Sequence, residues 1–342
     1  MQPVPTIEHR DRVLSCMQPT GNLHFGRYFG AIQNWVNLQS TYECFYGIVD
    51  YHAMTLFYNP STLREATWNG IFGLIACGIK PENLFIQSLI PEHAELAWIL
   101  NCFASYGESQ RMTQFKDKTS QASEKDKDAF ISVGLFTYPI LQAADILIYK
   151  PKYVPVGKDQ EQHLEFARNI AMRLNHVVGK ELIRVPEALF TDIPKVMSTA
   201  DPTKKMSASL GEKHNINLFS SPDQIRKQIK SAVTDLGSEP SDKMSAGVEN
   251  LFSLLKASGS SVYDDLMIKY TDKALKYSEL KDVVADALIT MTDSMRALMQ
   301  DIQNNKKEYK QKIKASSEVI RGRAKQNLNE IKEAVGLMMV TS

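Results

Sequence analysis

A parallel α/β sheet followed by an all-helical segment is the fold class this sequence predicts, on three observations. Strand-like apolar runs alternate with amphipathic helical runs through the first half of the chain, the pattern of a sheet whose crossovers are helices. From Ser221 onward strand signals almost vanish. The 342 residues exceed what one core comfortably holds, so two domains are expected, with the boundary between Pro194 and Ser221.

The elements follow in order. Arg12–Gln18 reads as a buried strand, and Pro19-Thr20-Gly21-Asn22 turns into an amphipathic helix from about His24 to Gln39. Cys44–Asp50 is a second strand. A helix starts at Asn59-Pro60-Ser61 and ends near Cys77-Gly78. Leu84–Gln87 is a third strand, and a helix spans about Glu92 to Ala104. The polar segment Met112–Asp128 is expected to be mobile. Pro139–Tyr149 reads as an apolar helix, Tyr153–Pro155 as a short strand and Asp159–Val177 as a helix. In the second half Pro222–Val233 and Ala246–Lys256 read as helices. A long one from about Ser278 to Ile302 carries Val284, Leu288, Met291, Met295, Leu298 and Ile302 on one stripe. In such sheets ligands sit outside the carboxyl ends of the strands.

Composition narrows the class. Hydrophobic residues make up 43% and charged residues 23%, ordinary for a globular protein. Nothing approaches the roughly 18 uninterrupted apolar residues of a membrane span, and the polar N-terminus is not that of a signal peptide. Cys16, Cys44, Cys77 and Cys102 are too scattered for a disulfide framework or paired metal ligands, which fits a reducing cytoplasm. The net charge of +1 does not announce a nucleic-acid partner, although residues 303–342 hold nine Lys or Arg against four Asp or Glu.

Two short segments carry the chemistry. In Gln18-Pro-Thr-Gly-Asn-Leu-His-Phe-Gly-Arg27 a strand enters a tight turn and then a helix N-terminus, where free N–H groups and the helix dipole favour an anion. Gly26 lets a base or phosphate approach the backbone, and His24 and Arg27 are placed to donate to phosphate oxygens. Arg-Tyr follows Gly26 where a P-loop has Lys-Ser or Lys-Thr. Asp201-Pro-Thr-Lys-Lys-Met-Ser-Ala-Ser209 has the turn formers, lysines and hydroxyls of a loop that closes on a triphosphate, with Lys205 as a point charge for the leaving pyrophosphate. In that order the two resemble the paired ATP-binding signatures of class I aminoacyl-tRNA synthetases.

Nearly the whole chain is similar to the bacterial type of tryptophanyl-tRNA synthetase. The likeness is densest at Gln18–Ile32, Ile48–Ala53, Arg111–Lys118, Tyr138–Tyr149, Val156–His163 and Val196–Ser209. Arg-Met-Thr-Gln-Phe-Lys-Asp-Lys and Val-Pro-Val-Gly-Lys-Asp-Gln-Glu-Gln-His are strings that the related tyrosine enzymes do not share. Tyr138, Gln142, Asp145 and Tyr149 put four polar side chains on one face of an apolar helix. A buried carboxylate is costly without a donor. The face is either solvated, capped internally, or a pocket in which Asp145 meets an indole N–H. A site built on such a bond rejects analogues that lack it by about four to five orders of magnitude.

The resemblance implies a Rossmann-type catalytic domain over 1–200, a mobile Lys-Met-Ser-Ala-Ser loop over 201–212 and a helical anticodon-recognition domain over 213–342, whose end either packs back on the first or extends the second. It implies that L-tryptophan is activated with ATP and passed to tRNA(Trp) by a cytoplasmic homodimer with no membrane contact. It places Asp145 on the indole nitrogen, Tyr138 and Gln160 on the amino group, His52 beside the pocket, and Gln142 and Cys16 in its lining. Gln18 falls at the junction of ATP and amino acid, Asp159 on the ribose and Lys116 on the phosphates. Met206 is expected to give mainly backbone contact to adenine. Pro19, Thr20, Gly157, Val196, Ser207 and Ser209 complete the ATP contacts. Mg²⁺ comes with ATP, no tightly bound cofactor is implied, and no metal ligand is assigned.

Departures from the family pattern are Ala208, where a second loop lysine is usual, Arg27 for Asn or His, Gln142 for Met and Cys16 for Gly. Ala208 shifts the burden to Lys205, Lys116, Lys204 and Mg²⁺, and Arg27 restores a charge. Arg226, Lys227 and Lys230 share one helix and are candidate tRNA contacts or an ordinary solvated face. Two other functions are compatible with the motifs. One is a catalytically weak paralogue that senses tryptophan or RNA; the other is a small adenylyltransferase.

Overall fold

The computed structural model describes residues 10–113, 131–157, 160–190, 194–234 and 243–339, with the side chain of Ser209 left out. Lys116, Asp159 and the greater part of the Met112–Asp128 segment therefore lie outside the described residues.

Five strands form one parallel sheet: β1 (Arg12–Met17), β2 (Glu43–Ile48), β3 (Leu84–Ile86), β4 (Tyr153–Pro155) and β5 (Glu187–Leu189), in the order β3-β2-β1-β4-β5. Neighbouring residues on a strand point to opposite faces. Accordingly Val13, Cys44, Tyr46, Leu84 and Ile86 enter one core, while Leu14, Phe45 and Phe85 enter the other. The strand order reverses between β1 and β4, which opens a crevice at their carboxyl ends.

The helices of the first half are α1 (Phe25–Arg27), continued through a π-helical turn at Tyr28–Ile32 into α2 (Gln33–Leu38), then α3 (Asp50–Ala53) and α4 (Pro60–Ala76). After them come α5 (Glu92–Asn101), α6 (Tyr106–Gln110), α7 (Val133–Leu147) and α8 (Glu161–Val178). Asn59 caps α4 through the Ser61 N–H at 2.9 Å, with Pro60 at the first position, as the sequence signals. The helix expected to open at Pro139 begins instead at Val133, where Ser132 accepts the Leu135 N–H at 3.1 Å. Proline is compatible with the second turn here; the cap, not the proline, sets the start.

The second half is helical: α9 (Pro222–Lys230), α10 (Ala246–Ala257), α11 (Tyr263–Thr271), α12 (Tyr277–Met291), α13 (Asp293–Asn304) and α14 (Lys306–Ala334). The single helix expected over Ser278–Ile302 is two, broken at Thr292. That hydroxyl donates to the Leu288 carbonyl at 2.7 Å, and Arg296 caps the Ile289 carbonyl at 3.0 Å. A threonine that bonds back to the preceding turn competes with the helix ladder.

The 29-residue α14 returns to the sheet. Ser316 Oγ donates to the Leu84 carbonyl at 2.8 Å and Ser317 Oγ accepts the Ile86 N–H at 3.3 Å, so edge strand β3 is covered. Ile320, Ala324, Leu328 and Ile331 then join the core beneath α5 and α7. Arg321 pairs with Glu92 at 3.0 Å and Lys332 with Glu95 at 2.6 Å. No helix among the described residues is long and apolar enough to cross a membrane.

Candidate active site

A pocket of about 280 Å³ opens at the carboxyl ends of β1, β2 and β4. Gln18, Cys16, His52, Tyr138, Gln142, Asp145 and Gln160 all border it, with Val49, Ile146 and Val156 among its apolar walls. Every residue that the sequence places around the amino acid is therefore brought to one cavity.

Asp145 is its hub and is 2% exposed. Oδ2 lies 2.7 Å from His52 Nε2, and Oδ1 lies 2.6 Å from His93 Nδ1 and 2.7 Å from Gln87 Nε2, which donates to it. A carboxylate only accepts, so His52 Nε2 and His93 Nδ1 carry hydrogens. Gln87 is itself held, its Oε1 accepting the Tyr51 N–H at 3.0 Å. His93 Nε2 lies 2.7 Å from the Tyr149 hydroxyl, and Tyr149 stacks on Phe45 at 5.0 Å.

Burial alone pushes the Asp145 carboxyl up, but charge and hydrogen bonds from His52 and His93 outweigh it and hold the group at about 2. It is ionised at neutral pH. Of its roughly four acceptor positions three are taken, two on Oδ1 and one on Oδ2. What remains is one position on Oδ2, enough for a single N–H. Two of the readings open for this helix face thus hold together: the carboxylate is capped internally and still lines the pocket. Tyr149 is the exception; it sits beyond the end of α7 inside the core and serves His93.

Cys16, Tyr138, Gln142 and Gln160 add polar but neutral groups to the lining. The Cys16 thiol is pushed well up by burial and by the charge of Asp145, so it stays protonated. The Tyr138 hydroxyl lies 2.8 Å from His163 Nε2, and burial raises it to about 12. Gln160 opens α8 and is held by its N–H to the Gly157 carbonyl at 2.9 Å. Gln87, His93 and Tyr149 were not legible as a unit, because they come from three separate elements with no motif spacing. The only signal was two polar residues, Gln87 and His93, on apolar flanks.

The two ATP signatures touch. Gly21 has φ +65°, and a Cβ there would lie 2.7 Å from the Ala208 Cβ; one on Gly26 would lie 2.9 Å from the Met206 Cβ. The Gly26 N–H donates to Met206 Sδ at 3.3 Å. Met206 thus uses its side chain on the first signature, in addition to the backbone role expected of it. Strands of main chain on either side hold the pair: Phe25 N–H reaches the Ile216 carbonyl at 3.1 Å and Leu218 N–H the Leu23 carbonyl at 2.9 Å.

His24 caps α1, its Nδ1 accepting the Arg27 N–H at 3.2 Å. Burial and then the Arg27 charge lower its pKa to about 4, so the ring is neutral and Nε2–H is the one donor it can offer a phosphate. Arg27 donates from Nη1 to the Thr20 carbonyl at 2.8 Å, bracing the turn while its other N–H groups remain. Gln18, Pro19, Thr20 and Arg27 line a second cavity of about 400 Å³, so Gln18 stands at the junction of the two.

The Lys205 loop is a hairpin. The Met206 N–H bonds to the Val196 carbonyl at 3.1 Å and the Ser198 N–H to the Lys204 carbonyl at 2.8 Å. Ser207 takes the Leu210 N–H at 3.4 Å as the chain leaves it. Lys204 pairs with Asp201 at 3.0 Å across the turn, an exposed contact. Lys205 is exposed, with no ion pair among the described residues. In α9, Arg226 pairs with Asp286 at 2.5 Å and Lys230 with Asp282 at 3.5 Å, which ties both to α12; Lys227 is exposed.

A family model described as class I tRNA synthetases (W and Y) matches residues 7–293. The tryptophanyl-tRNA synthetase of Campylobacter jejuni, solved with ADP and tryptophan, is 32% identical; the match covers 95% of this chain and 100% of that one, with a TM-score of 0.81. The Mycoplasma pneumoniae enzyme for tryptophan is 29% identical, over 96% and 98% of the two chains, at a TM-score of 0.82. Tyrosyl-tRNA synthetase of Archaeoglobus fulgidus shares the fold at 18% identity, 86% and 91% coverage and a TM-score of 0.65.

Proposed function

The chain belongs to the class I tRNA synthetases (W and Y), and we infer how its own residues carry out the work of a tryptophan–tRNA ligase. L-tryptophan is activated with ATP to tryptophanyl-adenylate, and the tryptophanyl group is then transferred to the 3′-terminal ribose of tRNA(Trp). The observation that carries the tryptophan specificity is the single open acceptor position on a buried, ionised Asp145. An indole N–H fills it. A phenyl ring leaves it empty, and a phenol carries its O–H donor at the tip of the ring, not at the place of the indole nitrogen; either way an unpaired buried charge is costly.

The tryptophan carboxylate attacks the α-phosphorus of ATP, and pyrophosphate leaves. No protein nucleophile takes part. Tyr138 and Gln160 orient the amino group, Gln18 spans the two substrates, and the neutral His24 donates from Nε2 to phosphate. Lys205 meets charge on the leaving pyrophosphate, with Arg27 at the turn. Asp159, Lys116 and Ser209 keep the ribose and phosphate roles that the family resemblance implies. Mg²⁺ arrives on the ATP phosphates as part of the substrate. Nothing in the site or the comparisons favours a sensor over an enzyme. Tryptophan-dependent exchange of labelled pyrophosphate into ATP tests the reading; binding of tryptophan without exchange would refute it.

The segments 1–200, 201–212 and 213–342 are assigned as catalytic domain, closing loop and anticodon-recognition domain, the last with α14 packed back on the first, in a cytoplasmic enzyme. A second copy of the chain is assigned to an apolar surface formed by Leu56, Phe57, Trp98, Tyr106 and Val133, which are 50%, 103%, 75%, 69% and 76% exposed. Ser132 Oγ bonds to the Thr55 carbonyl at 2.8 Å and Tyr106 packs on Phe136 at 5.9 Å, which brings the elements of Leu56, Phe57, Tyr106 and Val133 together. Sedimentation should give a dimer that Phe57→Asp weakens; a wild-type monomer would remove this assignment.

A further inference from the structure

Asn250 belongs to α10, yet its side chain is 4% exposed and turned onto the hairpin that carries Lys205. Its Oδ1 accepts the Met197 N–H at 2.8 Å, and its Nδ2 donates to the Met197 carbonyl at 3.0 Å. An amide that pairs with both main-chain groups of one residue does what a neighbouring strand would do. It fixes height and direction together. Met197 faces Lys205 across an antiparallel bridge, flanked by the Ser198–Lys204 and Met206–Val196 main-chain bonds.

The hairpin is also held by Ser198 Oγ, 2.9 Å from His214 Nδ1, and by the Val233 N–H on the Thr199 carbonyl at 2.9 Å, but neither bond is made to Met197. A cavity of about 770 Å³ lies between Pro194 and Lys195 ahead of the hairpin, Pro202 in its turn, and Glu249 and Ser253 of α10. The helix is anchored on its other side. A Cβ on Gly247 would lie 2.1 Å from the Val233 carbonyl oxygen, and Ser245 caps the helix through the Val248 N–H at 3.4 Å. Asn250 therefore reaches from a seated helix, past open space, to a hairpin.

We propose that Asn250 is a positioning residue for the ATP step, setting through Met197 the place of Lys205 while touching neither substrate. The proposal rests on Lys205 meeting the phosphates. A displacement of about 1 Å in such a group is enough to cost about a hundredfold in rate. Asparagine alone fits both partners: aspartate keeps the Met197 N–H but turns an oxygen on its carbonyl, and alanine loses both.

Tryptophan-dependent pyrophosphate exchange on the full chain tests it with Asn250→Ala, Asn250→Asp, Lys205→Ala and the Asn250→Ala/Lys205→Ala double variant. Asn250→Ala should raise KM for ATP or lower kcat by about tenfold. Asn250→Asp, which sets a buried carboxylate against the Met197 carbonyl, should lose at least as much. KM and equilibrium binding of tryptophan should stay within about twofold, and the double variant should be no slower than Lys205→Ala beyond the same margin. ATP parameters within about twofold of wild type in both Asn250 variants, losses that multiply in the double variant, or tryptophan binding that falls in step would each overturn it. If Asn250→Ala does not fold by circular dichroism, Asn250→Asp carries the same comparison. Full exchange in Lys205→Ala would overturn the Lys205 reading and this proposal with it; an inactive Lys205→Ala beside unaffected Asn250 variants would overturn this proposal alone.

Discussion

At Asp145 three donors from three separate elements converge on one buried carboxylate, whereas at Lys205 the charge stands in solvent and only the main chain beneath it is tied down. The first arrangement is fixed before any ligand arrives. Its low-dielectric surroundings make each unpaired group expensive, which suits discrimination between two aromatic amino acids. The second leaves a flexible ammonium free to follow phosphate oxygens as charge moves onto them, which suits rate acceleration. Selection and catalysis are thus assigned to opposite physical regimes, and Gln18 borders both the Asp145 pocket and the cavity beside the Arg27 turn.

The contrast can be broken at either end. Lys205→Ala should lower kcat for pyrophosphate exchange by about 10²-fold while tryptophan binding holds, since removing one donor to the charge that develops in the transition state costs on that order. Parallel loss of tryptophan affinity, measured by calorimetry, would show that the two regions are not separate. His93→Ala should do the reverse, raising KM for tryptophan by about 10–100-fold with KM for ATP little changed, because Asp145 Oδ1 and the Tyr149 hydroxyl each lose a partner. His93→Asn, which keeps a donor near Nδ1, should recover part of that loss.

The pH response separates the regions further. The folded-state pKa of His24 is depressed to about 4 from an ordinary 6.5, so between those values the unfolded chain binds the proton and the folded chain does not. Stability therefore falls as pH drops through that window. Asp145, depressed to about 2 from 3.8, contributes stability that is present above 3.8 and is lost only as pH falls toward 2. Thermal melts of His24→Asn should be flatter than wild type between pH 6.5 and 4, with the steepest acid loss below that range unchanged. Equal slopes in the two proteins would contradict the buried, neutral His24. The smallest effect is expected from Ala208→Lys, which adds an exposed charge to the loop; a gain of only a few-fold in kcat follows from the roughly 0.2–1 kcal/mol of a solvated ion pair. A hundredfold gain would mean that the loop is short of charge as it stands.

Much of this was legible in the chain itself. The turn and loop signatures could be read because their residues are contiguous and their turn chemistry is local: Gly21 at positive φ, Asn59 before Pro60, and Asp201 closing on Thr203 and Lys204. Helical spacing puts Asp145 on a polar face, and the family resemblance assigns that face to the pocket. Gln87 and His93 were not legible, since what makes them a unit is the pairing of β2 with β3 and the packing of α5 on α7. The strand Glu187–Leu189 escaped because Glu-Ala-Leu has none of the aromatic or β-branched residues that mark Tyr153–Pro155, and α14 because its buried positions are spread thinly among lysines. The break at Thr292 shows the converse limit: the apolar stripe continued, and one hydroxyl ended the helix.

The central claim is that the open acceptor position on Asp145 selects tryptophan for activation. Pyrophosphate exchange with tryptophan, tyrosine and phenylalanine, run on wild type and Asp145→Ala, addresses it most directly. The account predicts exchange with tryptophan alone, reduced by about 10³-fold in the variant as three buried donors lose their acceptor. Exchange supported by tyrosine, or a variant that keeps its preference for tryptophan, would contradict it.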